Sequence, residues 1–208
     1  MKSLLFLAAL VIVLSAQAQN ATPLFNGKDL GGWKPVPFGG EGEVVVEKGE
    51  IRLPAGAAMT GIAFTNTMPK GDYEIVVEAK KLEGNDFFAT VTFPVGTNFC
   101  SFVTGGWGGG VVGLSSVDGQ DASENDTTKY IKFERDQWYT FRIQVTTDKI
   151  AAWVGTNQMV NLPLANRTIG LRRGAIDLCK PLGIASYQTT AAIRKIEIRA
   201  LKSEAAKP

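Results

Sequence analysis

Three stretches of strict alternation constrain this chain more than any other feature. Tyr73, Ile75, Val77 and Ala79 alternate with Glu74, Val76, Glu78 and Lys80. Phe141, Ile143 and Val145 alternate with Arg142, Gln144 and Thr146, and Ile196, Ile198 and Ala200 with Lys195, Glu197 and Arg199. Successive side chains of a strand point to opposite faces, so a period of two builds one apolar and one polar face. The apolar face must be covered by a second layer. No segment sustains a helical period. Further strands are expected at 43–47, 50–53, 61–65, 87–93, 99–104, 111–115, 130–134, 150–154, 158–161, 168–172 and 183–187. Turn signals separate them at Lys48-Gly49, Pro69-Lys70-Gly71-Asp72, Glu83-Gly84-Asn85-Asp86, Thr147-Asp148-Lys149 and Gly155-Thr156-Asn157. Many short, punctuated strands without an internal repeat predict an all-β sandwich or jelly roll, folded as a single domain over residues 19–201.

The N-terminus reads as a leader. Lys2 precedes an apolar run from Leu4 to Leu14, and Ala16-Gln17-Ala18 offers a cleavage site, so residues 1–18 are expected to be a signal peptide. The run is too short for a stable membrane anchor. The mature protein is expected to be exported, to the periplasm or the outside, with no membrane insertion. Residues 202–208 are small and charged and read as a flexible tail. A net charge of +2, falling by one with the loss of Lys2, gives no electrostatic footprint for nucleic acid. The sequence carries no signal for oligomeric state.

Cys100 and Cys179 are the two cysteines. Export suits a disulfide between them, whereas the strand-like surroundings of Cys100 suit a buried thiol. The chain has no histidine. That absence excludes His-based triads, His general bases and most zinc or iron sites.

Residues 105–128 have a composition that no core strand needs. The segment opens with Gly105-Gly106-Trp107-Gly108-Gly109-Gly110 and closes with Asp118, Asp121, Glu124 and Asp126. Glycines allow positive φ and close approach, and a tryptophan among them offers a flat apolar face. The bland reading is a solvated hairpin loop. A second reading is a Ca²⁺ loop held by Asp118, Asp121 and Asp126, which would serve structure, although their order is not that of an EF-hand. A third is a sugar site, with Trp107 and Trp153 as stacking faces and Asn125 and Gln188 as amide partners. Trp33 and Trp138 are expected in the core. The glycine run is no dinucleotide fingerprint, because no βαβ unit surrounds it.

Three stretches resemble one family. Pro23-Leu24-Phe25-Asn26-Gly27-Lys28-Asp29-Leu30-Gly31-Gly32-Trp33 is similar to the opening of the 3-keto-disaccharide hydrolase domain family. Asp136-Gln137-Trp138-Tyr139-Thr140-Phe141-Arg142-Ile143 is similar to its middle strand, and Pro181 to Ala185 with Ile193 to Ile198 to its closing strands. The resemblance spans nearly the whole mature chain. It implies a concanavalin A-like jelly roll, export from bacteria, and work on glycosides already oxidised to a ketone at carbon 3. The sequence departs from the family where typical members carry Q-x-H-G: here Tyr187-Gln188-Thr189-Thr190-Ala191-Ala192 contains no histidine.

A 3-keto-glycoside can be cleaved by elimination. The ketone acidifies the C2 proton, a base removes it, and the C1 leaving group departs with acid help. Without histidine the base is expected among Glu124, Asp118 and Asp121. Tyr187 is placed to give a proton, and Arg172 or Lys132 to face the developing oxyanion. The sequence requires no cofactor. Two functional classes stand: an exported enzyme acting on a small saccharide, and a jelly-roll module that binds a glycan without turnover. The fold alone admits both.

Overall fold

The computed structural model describes residues 21–201. The leader expected at 1–18 and the tail at 202–208 lie outside the described residues. Fifteen strands form: β1 Thr22–Pro23, β2 Trp33–Pro35, β3 Val45–Glu47, β4 Glu50–Leu53, β5 Met59–Phe64, β6 Tyr73–Glu83, β7 Thr90–Val95 and β8 Asn98–Gly105. They continue with β9 Val111–Ser115, β10 Lys129–Tyr130, β11 Trp138–Val145, β12 Lys149–Val154, β13 Asn157–Pro163, β14 Gly183–Tyr187 and β15 Thr190–Ala200. Among the described residues no helix is long and apolar enough to cross a membrane.

Two antiparallel sheets face each other. An eight-stranded sheet runs β13-β12-β11-β6-β15-β4-β3, with β1 also paired to β15; a seven-stranded sheet runs β10-β9-β8-β7-β14-β5-β2. The three alternating stretches become β11, β6 and β15, adjacent in the first sheet. Their apolar rows (Phe141 and Ile143, Ile75 and Val77, Ile196 and Ile198) meet Ile62, Val91, Phe93, Phe102, Leu114 and Ile184 of the second sheet in one core. The expected all-β sandwich is therefore the observed one.

The seven-stranded sheet is covered on its outer face as well. A 3-10 helix, Ala175–Cys179, lies over one part of it, and the loop 116–128 over another. The covering segments reach the sheet because the outward positions beneath them are small. A Cβ on Gly183 would stand 2.6 Å from the Cys179 Cβ, and one on Gly113 3.1 Å from the Thr127 carbonyl oxygen. Strands buried on both faces lose their alternation, which is why β5 and β9 are buried throughout.

Several expectations are corrected. Residues 168–172 form no strand: Ile169 makes a single bridge to Val117, and Gly170 exchanges both backbone hydrogen bonds with Ser116, which ties the segment down without extending it. The strand expected at 130–134 shortens to Lys129–Tyr130. Strands β1 and β2 and the 3-10 helix lie where no alternation marked them. Trp33 is buried, and its indole N–H donates to the Leu24 carbonyl. Trp138 is not in the core; its register against Lys80 points it outward, where Lys80 and Arg194 stand 4.5 and 4.4 Å from its ring. Cys100 and Cys179 are free and buried on opposite faces of the seven-stranded sheet. Burial pushes both thiols up to about 12.

Candidate functional site

Between the two covering segments the outer face of the seven-stranded sheet stays open as a cleft of about 300 Å³. Its floor is Thr90 of β7, Ser101 and Val103 of β8 and Ser115 of β9. These outward positions are short, so the sheet itself forms a recess. Ser101 shares a hydrogen bond of 2.9 Å with Thr92, and the Ser115 hydroxyl donates to Asp121 at 3.1 Å. The Thr90 hydroxyl is buried and makes no hydrogen bond. A buried polar group without a partner costs about 1–3 kcal/mol, and this one lies in the recess.

One wall is built by a hairpin. β7 and β8 pair through Val95 with Asn98 and Val91 with Phe102. Continuing that register sets Asp86 across from Trp107. Gly105, Trp107 and Gly108 all take left-handed backbone conformations, with φ of 88°, 49° and 87°. Glycine accepts that conformation freely, while the tryptophan bears about 1–2 kcal/mol for it. The turn leaves the indole 42% exposed at the cleft. The Asp86 carboxylate accepts the Phe87 N–H at 2.8 Å and the Gly108 N–H at 3.4 Å, which fixes it beside the turn. Phe87 and Tyr187 meet at the same end, ring centroids 5.8 Å apart. The segment Arg172–Ile176 completes the enclosure, and the Arg172 guanidinium lies 5.6 Å from the Trp107 ring.

The acidic loop is spent on arginines and on its own backbone. Arg167 binds Asp126 through both terminal nitrogens at 2.9 Å and Asp118 through Nε at 2.7 Å. The hydrogen bond from Arg167 holds the Asp126 carboxyl below its usual range. Asp118 also accepts the Thr168 N–H at 2.7 Å. Asp121 pairs with Arg172 at 3.1 Å. Among the described residues no group of three or more His, Cys, Asp or Glu side chains is placed to hold a metal; the three acids expected to gather around Ca²⁺ face guanidinium groups.

The fold agrees with comparisons to known proteins. A family model described as the 3-keto-alpha-glucoside-1,2-lyase-like domain matches residues 20–199. The chain belongs to that family. No curated protein sequence matches it. Among solved structures, one from work on endo-acting O-glycanases of the human gut microbiota has a TM-score of 0.59 at 11% identity, covering 88% of this chain and 99% of that one. The Crh5 transglycosylase in complex with NAG gives 0.57 at 13%, covering 88% and 84%. The Ca²⁺/Man-bound exoplasmic/lumenal domain of VIP36 gives 0.58 at 11%, covering 85% and 86%. At such identities the likeness establishes a concanavalin-like two-sheet fold.

In this lyase-like domain the residues singled out from sequence divide sharply. Trp107, Arg172 and Tyr187 line the cleft, and Asp121 stands one contact behind it through Ser115 and Arg172. Glu124 does not join them: it is exposed on the outside of the loop. Asn125 is buried, with its amide donating to the Leu114, Gln120 and Asp121 carbonyls and its oxygen accepting from Thr127, so it staples the loop and has nothing left for a sugar. Lys132 pairs with Glu134 in a separate surface hollow at 2.7 Å. Trp153 lies on the outer face of the other sheet under Arg142, 3.9 Å from its ring. Gln188 donates to the Ala57 carbonyl away from the cleft. Asp86 was missed, since it sits in a turn signal and looks like punctuation. Gly96-Thr97 as a hairpin turn was the available clue: counting back from it places Asp86 across from Trp107.

Proposed function

We propose that this exported lyase-like domain binds one pyranose unit in the cleft and cleaves 3-keto-glycosides by elimination. The observation that carries the reading is the gathering of Asp86, Trp107, Arg172 and Tyr187 around one recess whose floor holds the unpartnered Thr90 hydroxyl. A cleft of about 300 Å³ is at the small end of ligand sites and suits a single ring. The Trp107 face stacks on the sugar, and the Thr90 hydroxyl gains the partner it lacks.

In this scheme the Asp86 carboxylate removes the C2 proton, and the electron pair moves into an enolate on the C3 oxygen. Arg172 faces that oxygen. The enolate then collapses: the ketone re-forms, a C1–C2 double bond appears, and the C1–O bond breaks. Tyr187 gives the departing oxygen its proton. Water added across the double bond yields the free 3-keto sugar; Asp86 then releases its proton to solvent and Tyr187 regains one from it. No histidine is needed.

The test uses purified mature protein with 3-keto-trehalose, 3-keto-sucrose and 3-keto-lactose beside the unoxidised disaccharides. Sugar release is expected from the keto substrates only. Asp86→Asn is expected to lower kcat by two to four orders of magnitude, and Glu124→Gln to stay within about twofold, as for a surface substitution away from a site. Full activity in Asp86→Asn overturns the assignment. A second reading, a glycan-binding module, is favoured by the engagement of Asp118, Asp121 and Asp126 with arginines; saccharide binding without any turnover would establish it.

A further inference from the structure

The cleft does not end at Arg172 and Arg173. Both side chains also line a second hollow of about 630 Å³, formed with Thr97, Asn98, Phe99 and Lys180. The two hollows share a floor strand. In β8 the outward row reads Phe99, Ser101, Val103, so the line that floors the cleft runs on into the second hollow. Phe99 and Val103 are four residues apart, about 13 Å at the rise of a strand. A ligand lying along this row has room for a second sugar unit over Phe99.

The second hollow differs in charge from the first. It presents Arg172, Arg173 and Lys180 against one acid, Asp177. Lys180 is paired with Asp177 at 2.7 Å, and Arg172 with Asp121 at 3.1 Å. Among the described residues Arg173 has no carboxylate within 4.0 Å. Its backbone is nonetheless well placed: Gly170 and Ser116 exchange hydrogen bonds upstream, and Gly174 has a φ of 128° that side chains rarely accept. Lys180 stands 5.4 Å from the Phe99 ring in this hollow, and the exposed, unpaired Arg173 guanidinium beside it is a fork for a planar or tetrahedral oxyanion.

We infer that the unit next to the cleft carries an anionic group, a uronate carboxylate or a sulfate ester, which Arg173 binds. This rests on the saccharide reading of the cleft and names its substrate class: acidic disaccharides or oligosaccharides.

The experiment is calorimetric titration and turnover with three 3-keto-glucosides that differ only in the second unit: glucose, glucuronate or glucose 6-sulfate. An anionic unit is expected to bind about tenfold more tightly than the neutral one. The ratio is expected to collapse to within twofold in Arg173→Gln, and to shrink at 1 M salt, where the screening length is about 3 Å. The ligand with the larger Arg173-dependent ratio identifies the anion. Sugar binding with no anionic preference, or a preference that survives Arg173→Gln, overturns the inference and leaves the cleft reading intact. An Arg173-dependent preference without turnover supports the inference and overturns the enzymatic reading. Failure to bind any of the three overturns both.

Discussion

The two outer faces of this sandwich belong to separate sheets and solve opposite problems. On the eight-stranded sheet the outward charges at the centre pair across strands. Glu74 is 1% exposed and receives Arg199 at 2.6 Å, Gln144 at 2.6 Å and Arg142 at 3.6 Å. Glu78 holds Arg194 at 2.7 Å, and Lys195 reaches Glu197 at 3.1 Å. Even the tryptophans there are capped, Trp138 by Lys80 and Arg194 and Trp153 by Arg142. On the seven-stranded sheet the outward groups under the cleft are Thr90, Ser101, Val103 and Ser115, a second chain layer closes over both flanks, and the middle is left with Thr90 unpartnered and Trp107 open. On the charged face the carboxylates are taken up by arginines and lysines of neighbouring strands. A face that leaves groups unsatisfied in a recess has reserved them.

Variants can break or sharpen that contrast. The largest effect expected outside the chemistry is Glu74→Ala, which strips three partners of a buried carboxylate at once. It should lower the unfolding free energy by about 2–3 kcal/mol in urea titration, less than a fully buried pair because the arginines can reach water. Saccharide binding should survive it. A loss of binding with stability unchanged would mean that the charged face takes part in recognition. Next, Trp107→Ala should weaken saccharide affinity about tenfold, or 1.4 kcal/mol, while Trp138→Ala should leave affinity as it was; calorimetry on both variants decides. The smallest effect is the most diagnostic. Thr90→Val removes a hydroxyl that folding left unpaired, so stability should rise by about 1 kcal/mol while sugar affinity falls. A drop in both would show that the hydroxyl already has a structural partner.

The charged sheet was the more legible in sequence, and the reason is physical. Strands such as β6, β11 and β15 bury one side only, so their alternation is written in the residues. Strands β5 and β9 are buried on both sides and read as apolar or small runs with no face to assign. The segment 168–172 has the composition of a strand, yet its backbone is tied at Gly170 to Ser116 and does not extend into a ladder. The site was half legible. Trp107, Arg172 and Tyr187 could be picked as unusual residues near turns. The dense acids at 118–126 attracted attention because carboxylates close in sequence suggest chemistry. In space Asp118, Asp121 and Asp126 answer to Arg167 and Arg172, which lie far along the chain, and sequence spacing gives no hint of that pairing. Asp86 was hidden for the converse reason, since its partner across the hairpin is 21 residues away and only strand register brings them together.

The hairpin that carries Asp86 and Trp107 also has a mechanical consequence. The β7–β8 ladder runs up to Val91 and Phe102, and beyond it the Gly108 N–H reaches Asp86 at 3.4 Å, so Asp86 and Trp107 sit on the two arms of one hairpin. Their spacing is therefore set before any ligand arrives. The facing segment is held at its two ends, by the paired backbone hydrogen bonds of Gly170 with Ser116 and by the seat of Cys179 on Gly183. The two walls of the cleft are thus held differently, one through a strand hairpin and the other through contacts at the two ends of an irregular segment.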